Sequence, residues 1–167
     1  GLLTLQQEIA KKGRKLVIVL EGQDTAGKGG VVRRMAEHLD PRYLLVHPVG
    51  KPNVVEAGQH YWQRFFARLP NPGQITVFDR SWYGRVLVER VEGLAPKRAW
   101  KRAYGEINQV EKMLVDDGVL LLKYLLDISY REQGRRFKQR EKDLFKAWKL
   151  TQEDFRNRKK WKEYQEA

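Results

Sequence analysis

A continuous apolar run that leads into a glycine-rich turn constrains the fold of this chain more than any other feature. The run Leu16–Leu20 consists of large, mostly branched side chains, and Glu21-Gly22 ends it. A strand without polar alternation is typical of a sheet that is buried on both faces. Because helices must then cover both faces, the sequence predicts an α/β fold built on a mostly parallel sheet.

The rest of the pattern alternates strands with helices. Further strands are predicted at Leu44–Val46, Ile75–Phe78 and Val119–Leu126, and helices at Leu2–Lys12, Val31–Leu39, Val55–Leu69 and Lys97–Asp117. Helical crossovers between parallel strands place helices on both sides of the sheet, which predicts a three-layer α/β/α arrangement. We expect residues 1–167 to form this fold as a single domain.

The composition narrows the class of protein. The chain has no cysteine, which excludes a disulfide-stapled secreted domain. Its apolar runs are far shorter than the ~20 residues of a membrane helix, so we expect a cytoplasmic protein with no membrane association. The 33 Lys and Arg exceed the 21 Asp and Glu by 12, which predicts an anionic partner. Charge alone leaves open a nucleic acid, a phosphorylated metabolite or an acidic membrane face.

Half of the excess positive charge lies in residues 128–167, which contain 13 Lys and Arg against 7 Asp and Glu. The aromatic residues interleaved with this charge are Phe137, Phe145, Trp148, Phe155 and Trp161. So many aromatic side chains argue against a disordered tail. The segment is expected to be helical, either as a solvated basic face with its aromatics packed inward or as a surface that binds the anionic partner.

The turn after the first strand has the form of a phosphate-binding loop. The segment Gly22–Gly30 fits G-x-x-x-x-G-K, with Gly22, Gly27, Lys28, Gly29 and Gly30 as its phosphate-binding candidates. A buried strand, a glycine turn and a helix N-terminus together direct backbone N–H groups at one point, where a lysine reaches the phosphate. The alternative is an ordinary strand-to-helix turn that happens to be rich in glycine.

The loop departs from the common pattern at Gly29, where Ser or Thr usually ligates Mg²⁺. Asp24 lies inside the loop and is the candidate that replaces this ligand. A carboxylate that faces phosphates is repelled unless a metal ion lies between them, so Asp24 predicts Mg²⁺. Its structural alternative is a side-chain hydrogen bond that stabilises the turn.

A second acidic position follows the predicted strand Ile75–Phe78. Asp79 stands at the carboxyl end of this strand, where ligands of parallel α/β sheets bind. This is the form of a Walker B segment, with Asp79 as the second Mg²⁺ ligand or the holder of its water, and Arg80 as a clamp on the transferred phosphoryl group. A purely structural ion pair is the alternative.

Several motifs in order resemble one known family. They are Gly22–Gly30 with Asp24, the segment Phe78–Arg85, Glu132-Gln133 with Arg135-Arg136-Phe137, and Trp148-Lys149-Leu150. This set closely resembles the polyphosphate kinase 2 family, from about Lys15 to Tyr164. The resemblance implies a thymidylate-kinase-like P-loop fold with a helical lid at about 128–167, and a phosphotransferase that depends on Mg²⁺, or on Mn²⁺ in its place.

What the resemblance implies about chemistry is transfer of a phosphoryl group between inorganic polyphosphate and an adenine or guanine nucleotide. The segments 83–93 and 104–108 look most like members that convert AMP to ADP; conversion of ADP to ATP is the other option. The catalytic positions carried over are Asp24, Lys28, Asp79, Arg80, Arg135 and Arg136. The resemblance also implies a homo-oligomer, either dimer or tetramer, and no specific nucleic acid. Family members continue with another strand and a terminal helix, so we expect this domain to be one strand and one helix short.

Further candidates are assigned by position. A track for the polyphosphate chain is predicted at Arg33, Arg34, Lys51, Arg64 and Arg68, and nucleotide contacts at Trp82, Tyr83, Arg85 and Glu89. Each cation could instead be a solubilising charge, and the aromatics after a strand could be core residues. Two other functions stay open: an ATP-dependent nucleotide kinase of the same fold, and a basic nucleic-acid-binding module with interleaved aromatics.

Overall fold

A computed structural model describes residues 1–144 and 147–167 of the chain. Four strands are present in these residues: β1 (Lys15–Gly22), β2 (Leu44–Pro48), β3 (Ile75–Asp79) and β4 (Val119–Leu126). The helices are α1 (Leu2–Lys11), α2 (Lys28–His38), α3 (Val54–Ala57), α4 (Gln63–Phe66), α5 (Val88–Val91), α6 (Lys97–Asp116), α7 (Tyr130–Lys142), α8 (Gln152–Lys159) and α9 (Trp161–Glu166). Short 3-10 turns cover Pro41–Tyr43, Trp82–Arg85 and Ala147–Lys149. Phe145, one of the aromatics named above, lies outside the described residues.

The strands form one parallel sheet in the order β2-β3-β1-β4. Leu20 of β1 lies opposite Asp79 of β3 and Tyr124 of β4. The carboxyl ends of β1 and β3 therefore meet at one edge of the sheet, directly before the glycine loop and the Asp79-Arg80 pair. This confirms the predicted parallel sheet.

β1 is covered on both faces. Val17 and Val19 point into one apolar cluster, which contains Phe78 and side chains of α6; Leu16, Ile18 and Leu20 point into another. The second cluster includes Ile9 of α1 and Met35 of α2. The three-layer α/β/α arrangement is thus confirmed, and its physical origin is a strand with no polar face.

The predicted helix Val55–Leu69 is wrong as a single element. The structure divides this segment into α3 and α4, with a turn that starts at Gly58. Because the helix is interrupted here, Trp62 can point into the core, where it is 2% exposed. Its ring packs against Trp82, with ring centroids 4.8 Å apart. Burial of this large side chain outweighs the continuation of a helix that contains a glycine and exposed β-branched residues.

The segment 128–167 is helical in its described part, as expected. Phe137 is 3% exposed and meets Phe155 edge to face at 5.4 Å, and Trp161 meets Tyr130 in the same way. Inward packing therefore holds for Phe137, whereas Trp161 is half-buried, Phe155 is 41% exposed and Trp148 is 75% exposed.

β4 forms one edge of the described sheet, and its outer side is apolar. Leu120, Leu122, Tyr124 and Leu125 are between 37% and 71% exposed.

Among the described residues, no helix combines the length and apolarity needed to cross a bilayer.

Substitution of Phe78 tests the hydrophobic core that supports the site. Phe78→Ala removes a fully buried ring between β1 and the aromatic cluster, so we expect a loss of about 3–5 kcal/mol in the free energy of unfolding. Urea unfolding followed by circular dichroism measures the loss. The matched control is Phe66→Ala, whose ring is 37% exposed and should cost less than half as much. Equal losses would contradict the assigned core.

Substitution of Gly22 tests the close approach between the start of the loop and β4. Gly22 has φ +137°, and a Cβ atom there would collide with the carbonyl oxygen of Leu126. We therefore expect Gly22→Ala to lower the free energy of unfolding by about 2 kcal/mol or more. Gly105→Ala is the matched control: a Cβ there meets no neighbouring atom within 4 Å in α6, and alanine should stabilise the helix slightly. An undiminished stability of Gly22→Ala would contradict this geometry.

Candidate active site

The glycine loop joins β1 to α2 through backbone conformations that few side chains adopt. Gly27 has φ +118°, and Thr25 has φ +66° although it carries a side chain. Non-glycine residues in this region are strained by about 1–3 kcal/mol, and such strain concentrates at ligand-binding turns. The loop is therefore held in shape by its surroundings rather than by its own preferences.

The N-terminus of α2 opens toward free space. A Cβ atom at Gly29 or Gly30 would meet no atom within 4 Å. The first N–H groups of a helix have no carbonyl partner within the helix, and they carry its positive dipole end. A phosphate group can therefore approach this end of α2, as the loop pattern predicts.

Lys28 folds back over the loop. Its Nζ atom donates to the carbonyl oxygen of Gly22 at 2.6 Å and to that of Gln23 at 3.1 Å, and the residue is 8% exposed. Burial lowers the pKa of its ammonium group, and the positive charge of Arg80 lowers it further. Within residues 1–144 and 147–167, the hydrogen-bond partners of this buried ammonium are neutral carbonyls, which makes it a favourable partner for an incoming phosphate.

Asp24 and Arg80 connect the two motifs. Arg80 Nη2 donates to Asp24 Oδ1 at 2.6 Å, and the Asp24 side chain is 7% exposed. Arg80 has φ +67°, which directs its side chain back over the loop. Asn157 Nδ2 donates to the second oxygen, Asp24 Oδ2, at 2.8 Å. Both of these hydrogen bonds connect the Asp24 carboxylate to side chains outside the loop.

Asp79 occupies the end of β3, half-buried, one residue before Arg80. Burial lowers the pKa of Lys28 despite the opposing negative charge of Asp79. Burial also acts to lower the pKa of Arg80, but the nearby carboxylates, Asp24 first and Asp79 among them, outweigh it and raise that pKa. The structure thus brings Asp24, Lys28, Asp79 and Arg80 together, as the two motifs predict.

Glu21 belongs to the same cluster and was missed from the sequence. Its carboxylate accepts a 2.7 Å hydrogen bond from Ser81 Oγ, and burial raises its pKa. The sequence does contain a signal for Glu21, since it is an acidic residue at the carboxyl end of the apolar run. The carboxyl ends of neighbouring parallel strands meet at one edge of the sheet, so Glu21 could have been expected near Asp79.

The C-terminal helices reach the loop through α7. Arg136 Nη1 donates to the carbonyl oxygens of Thr25 and Ala26, at 2.9 and 3.2 Å. The buried Gln133 donates to the carbonyl oxygen of Asp24 at 3.2 Å. α7, which belongs to the segment predicted to form a lid, therefore lies against the loop.

Arg135 lies on the solvent side of α7. It donates to both carboxylate oxygens of Glu132, and Arg136 Nε donates to the same carboxylate at 2.6 Å. The two guanidinium groups lower the pKa of Glu132 to about 2. Arg135 does not reach the loop in this conformation, in contrast to Arg136.

Trp82 is a core residue, which corrects its assignment as a nucleotide contact. It is 1% exposed, lies in the aromatic cluster, and donates from Nε1 to Glu111 at 3.0 Å. An indole packed on both faces has no surface on which a base can stack. Tyr83 is half-buried, and its hydroxyl group lies between Glu111 and Lys123, at 2.8 and 3.0 Å.

Arg85 and Glu89 form an ion pair at 2.7 Å beside Tyr61. The Arg85 guanidinium lies 4.5 Å from the centre of the Tyr61 ring. Its Nε atom is buried and has no hydrogen-bond partner among the described residues. An unsatisfied buried donor is costly, so this position has hydrogen-bonding capacity for a ligand.

The five cations of the predicted track lie in three places. Arg33, paired with Glu37 at 2.8 Å, and Arg34 are exposed on α2, and Lys51 is exposed after β2. Arg64 and Arg68 share Glu56 at 3.5 and 3.8 Å and line a groove of about 560 Å³ with His47. Arg64 lies in α4 and Arg68 beyond its end, yet the two side chains meet at one carboxylate.

His47 in this groove was also missed from the sequence. Its Nε2 atom is buried without a hydrogen-bond partner among the described residues, and burial lowers its pKa. A lone histidine on a short strand carries no pattern that sequence reasoning could use.

Known proteins resemble this chain in sequence and in fold. The chain is 51% identical over 156 residues to the polyphosphate:AMP phosphotransferase of Pseudomonas syringae pv. tomato, which covers 93% of this chain and 31% of that protein. It is 42% identical over 166 residues to the ADP-polyphosphate phosphotransferase of Pseudomonas aeruginosa, covering 99% of this chain and 55% of that one. The crystal structure of polyphosphate kinase 2 from Arthrobacter aurescens TC1 matches with a TM-score of 0.93 at 33% identity, over 98% of this chain and 59% of that chain.

The chain spans about a third to somewhat over half the length of these proteins. The sequence model of the polyphosphate kinase 2 family matches residues 1–167. On the strength of that match and of relatives at this identity, the chain belongs to the polyphosphate kinase 2 family.

Proposed function

We propose that this chain carries the phosphate site of a phosphotransferase that moves the terminal phosphoryl group of inorganic polyphosphate to AMP, giving ADP. The observation that carries this function is the Asp24–Arg80 contact of 2.6 Å, which joins the loop after β1 to the end of β3 beside Lys28. The name of the relative from P. syringae supports AMP as the acceptor. Transfer to ADP is the second candidate, favoured by the name of the relative from P. aeruginosa.

The reaction needs positioning and charge neutralisation more than covalent chemistry. A phosphate oxygen of AMP bonds to the terminal phosphorus of the chain, and the bond from that phosphorus to its bridging oxygen breaks. The bridging oxygen keeps the electron pair, so polyphosphate leaves one unit shorter. Lys28 and Arg80 stabilise the negative charge that gathers on these oxygens.

The site offers two carboxylates to a metal ion, Asp24 and Asp79. Among the residues that the structure describes, no group of three or more acidic or imidazole side chains is arranged to hold a metal ion. Mg²⁺ commonly takes only one or two carboxylates and completes its shell with phosphate oxygens and water, so these residues fit it. Bound there, Mg²⁺ or Mn²⁺ would offset the charge of the transferred phosphate.

Two cations at the loop bind its own carbonyl oxygens in this conformation: Lys28 and Arg136. We infer that a phosphate chain replaces these carbonyl partners, since a charged acceptor forms a stronger bond than a carbonyl. Arg135, which binds Glu132 on the solvent side of α7, would have to turn toward the loop to contact the same phosphate chain. The α7 arginines would then act as a lid that excludes water and limits hydrolysis of the donor. The homo-oligomer, dimer or tetramer, and the cytoplasmic location stay predictions.

Activity and its dependence on the two carboxylates form one prediction. With Mg²⁺, long-chain polyphosphate and AMP, we expect the chain to produce ADP, measured by ion-exchange chromatography. Asp24→Asn and Asp79→Asn should each lower kcat by about 100-fold, because a neutral amide binds Mg²⁺ poorly.

The matched control is Asp116→Asn, which changes an exposed partner of Lys112 on α6 and should retain the full rate. A longer relative assayed in parallel verifies the substrates. No product from this chain, with product from the relative, would refute the proposed activity of these residues. A wild-type rate in either active-site variant would remove that carboxylate from the metal site.

The donor separates this enzyme from an ATP-dependent kinase of the same fold. We expect ADP to form from AMP and polyphosphate with no ATP present, and added ATP to contribute little. A rate that requires ATP would favour the ordinary nucleotide kinase. Salt-sensitive binding of a random oligonucleotide without any nucleotide product would instead favour the nucleic-acid-binding module.

A further inference from the structure

A side chain that no motif contains reaches the loop carboxylate from the C-terminal helices. Asn157 of α8 donates to Asp24 Oδ2 at 2.8 Å, and Arg80 holds Oδ1. We propose that Asn157 is a positioning residue, which fixes the orientation of the Asp24 carboxylate for a divalent cation. This role rests on the proposed function, because that function is what makes Asp24 a ligand of a metal ion.

The amide of Asn157 is itself oriented. Tyr164 of α9 donates its hydroxyl proton to Asn157 Oδ1 at 3.3 Å. Since the amide oxygen accepts this bond, the amide nitrogen faces Asp24 and donates to it. The order Tyr164, Asn157, Asp24, Arg80 is therefore a chain of hydrogen bonds in which each donor has one acceptor.

A neutral donor suits a carboxylate that must also bind a cation. A second arginine or lysine at this place would compensate the charge of Asp24 and compete with a metal ion. An amide holds one oxygen and leaves the negative charge in place. A carboxylate has about four acceptor positions, and Arg80 and Asn157 use two of them, so positions for a metal ion remain.

α8 is anchored on both sides of Asn157 by other residues. Arg156 and Lys160 pair with Glu92 at 3.0 and 3.3 Å. On the opposite side, Arg158 lies 3.6 Å from the centre of the Tyr130 ring and donates to the backbone carbonyl oxygen of Tyr130 at 2.7 Å. These contacts hold α8 without help from Asn157, so the amide orients Asp24 rather than the reverse.

The test replaces the amide by an apolar side chain with the same branching and the same number of heavy atoms. Asn157→Leu removes both hydrogen bonds, and we expect the affinity for Mn²⁺ in the presence of ADP to fall about tenfold, as for other groups that orient metal ligands. Electron paramagnetic resonance of free Mn²⁺ measures this affinity without turnover. The matched control is Gln165→Leu, an exposed amide on α9, which should bind Mn²⁺ as the wild type does. Equal affinities of Asn157→Leu and the wild type, or no Mn²⁺ binding by the wild type, would overturn the role.

A double-mutant cycle separates orientation of Asp24 from a general effect on folding. In an Asp24→Asn background, Asn157→Leu should weaken Mn²⁺ binding by less than twofold further, because its target is already lost. Another tenfold loss in that background would assign Asn157 a different role and overturn the inference. Tyr164→Phe serves as the second variant if Asn157→Leu fails to fold. It leaves the Asn157–Asp24 bond in place and should weaken Mn²⁺ binding about threefold. Unchanged Mn²⁺ affinity of Tyr164→Phe would then count against the role of Asn157.

The two proposals fail in different ways. If the wild type makes no nucleotide product yet binds Mn²⁺ with an affinity that depends on Asn157, the transfer reaction is refuted and the positioning role stands. If the wild type makes ADP and Asn157→Leu leaves both kcat and the Mn²⁺ affinity unchanged, the positioning role is refuted and the transfer reaction stands.

Discussion

Burial of β1 on both faces is the constraint on which the rest of the structure depends. Its apolar side chains require a helical layer on each side, and its parallel partners β3 and β4 can join it only through crossovers. The carboxyl ends of β1 and β3 therefore meet, and the loop after one faces the Asp79-Arg80 pair after the other. The Asp24–Arg80 contact is a direct consequence of this topology.

The positive charge of the site is compensated by the protein itself. Lys28 and Arg136 bind loop carbonyls, and Arg80 binds Asp24. Buried or partly buried cations need such partners, because an unpaired charge in a low-dielectric site costs several kcal/mol. A phosphate chain would exchange with these partners, so affinity would come from the difference between the two sets of contacts. The net charge of +12 is therefore a poor measure of what the site gains on binding.

Elements with a clear periodicity were predictable, and elements that depend on a distant partner were not. β1, α6 and β4 have nearly the predicted bounds, because their apolar residues recur at strand or helix spacing. The segment 55–69 has the helical spacing too, yet burial of Trp62 divides it. Its partner Trp82 lies in a turn outside this segment, at Trp82–Arg85. The periodicity of residues 55–69 contains no information about a contact with that turn.

The same division holds for the site. The sequence by itself determined the loop, its lysine and the two acidic positions, because their spacing along the chain places them at strand ends. Only the tertiary structure decided that Trp82 is core, that Glu21 joins the cluster, and that Asn157 meets Asp24 from 133 positions away. The physical reason is that a strand and its loop have short-range patterns, whereas the partner of a buried carboxylate is set by how the last helices pack over the sheet.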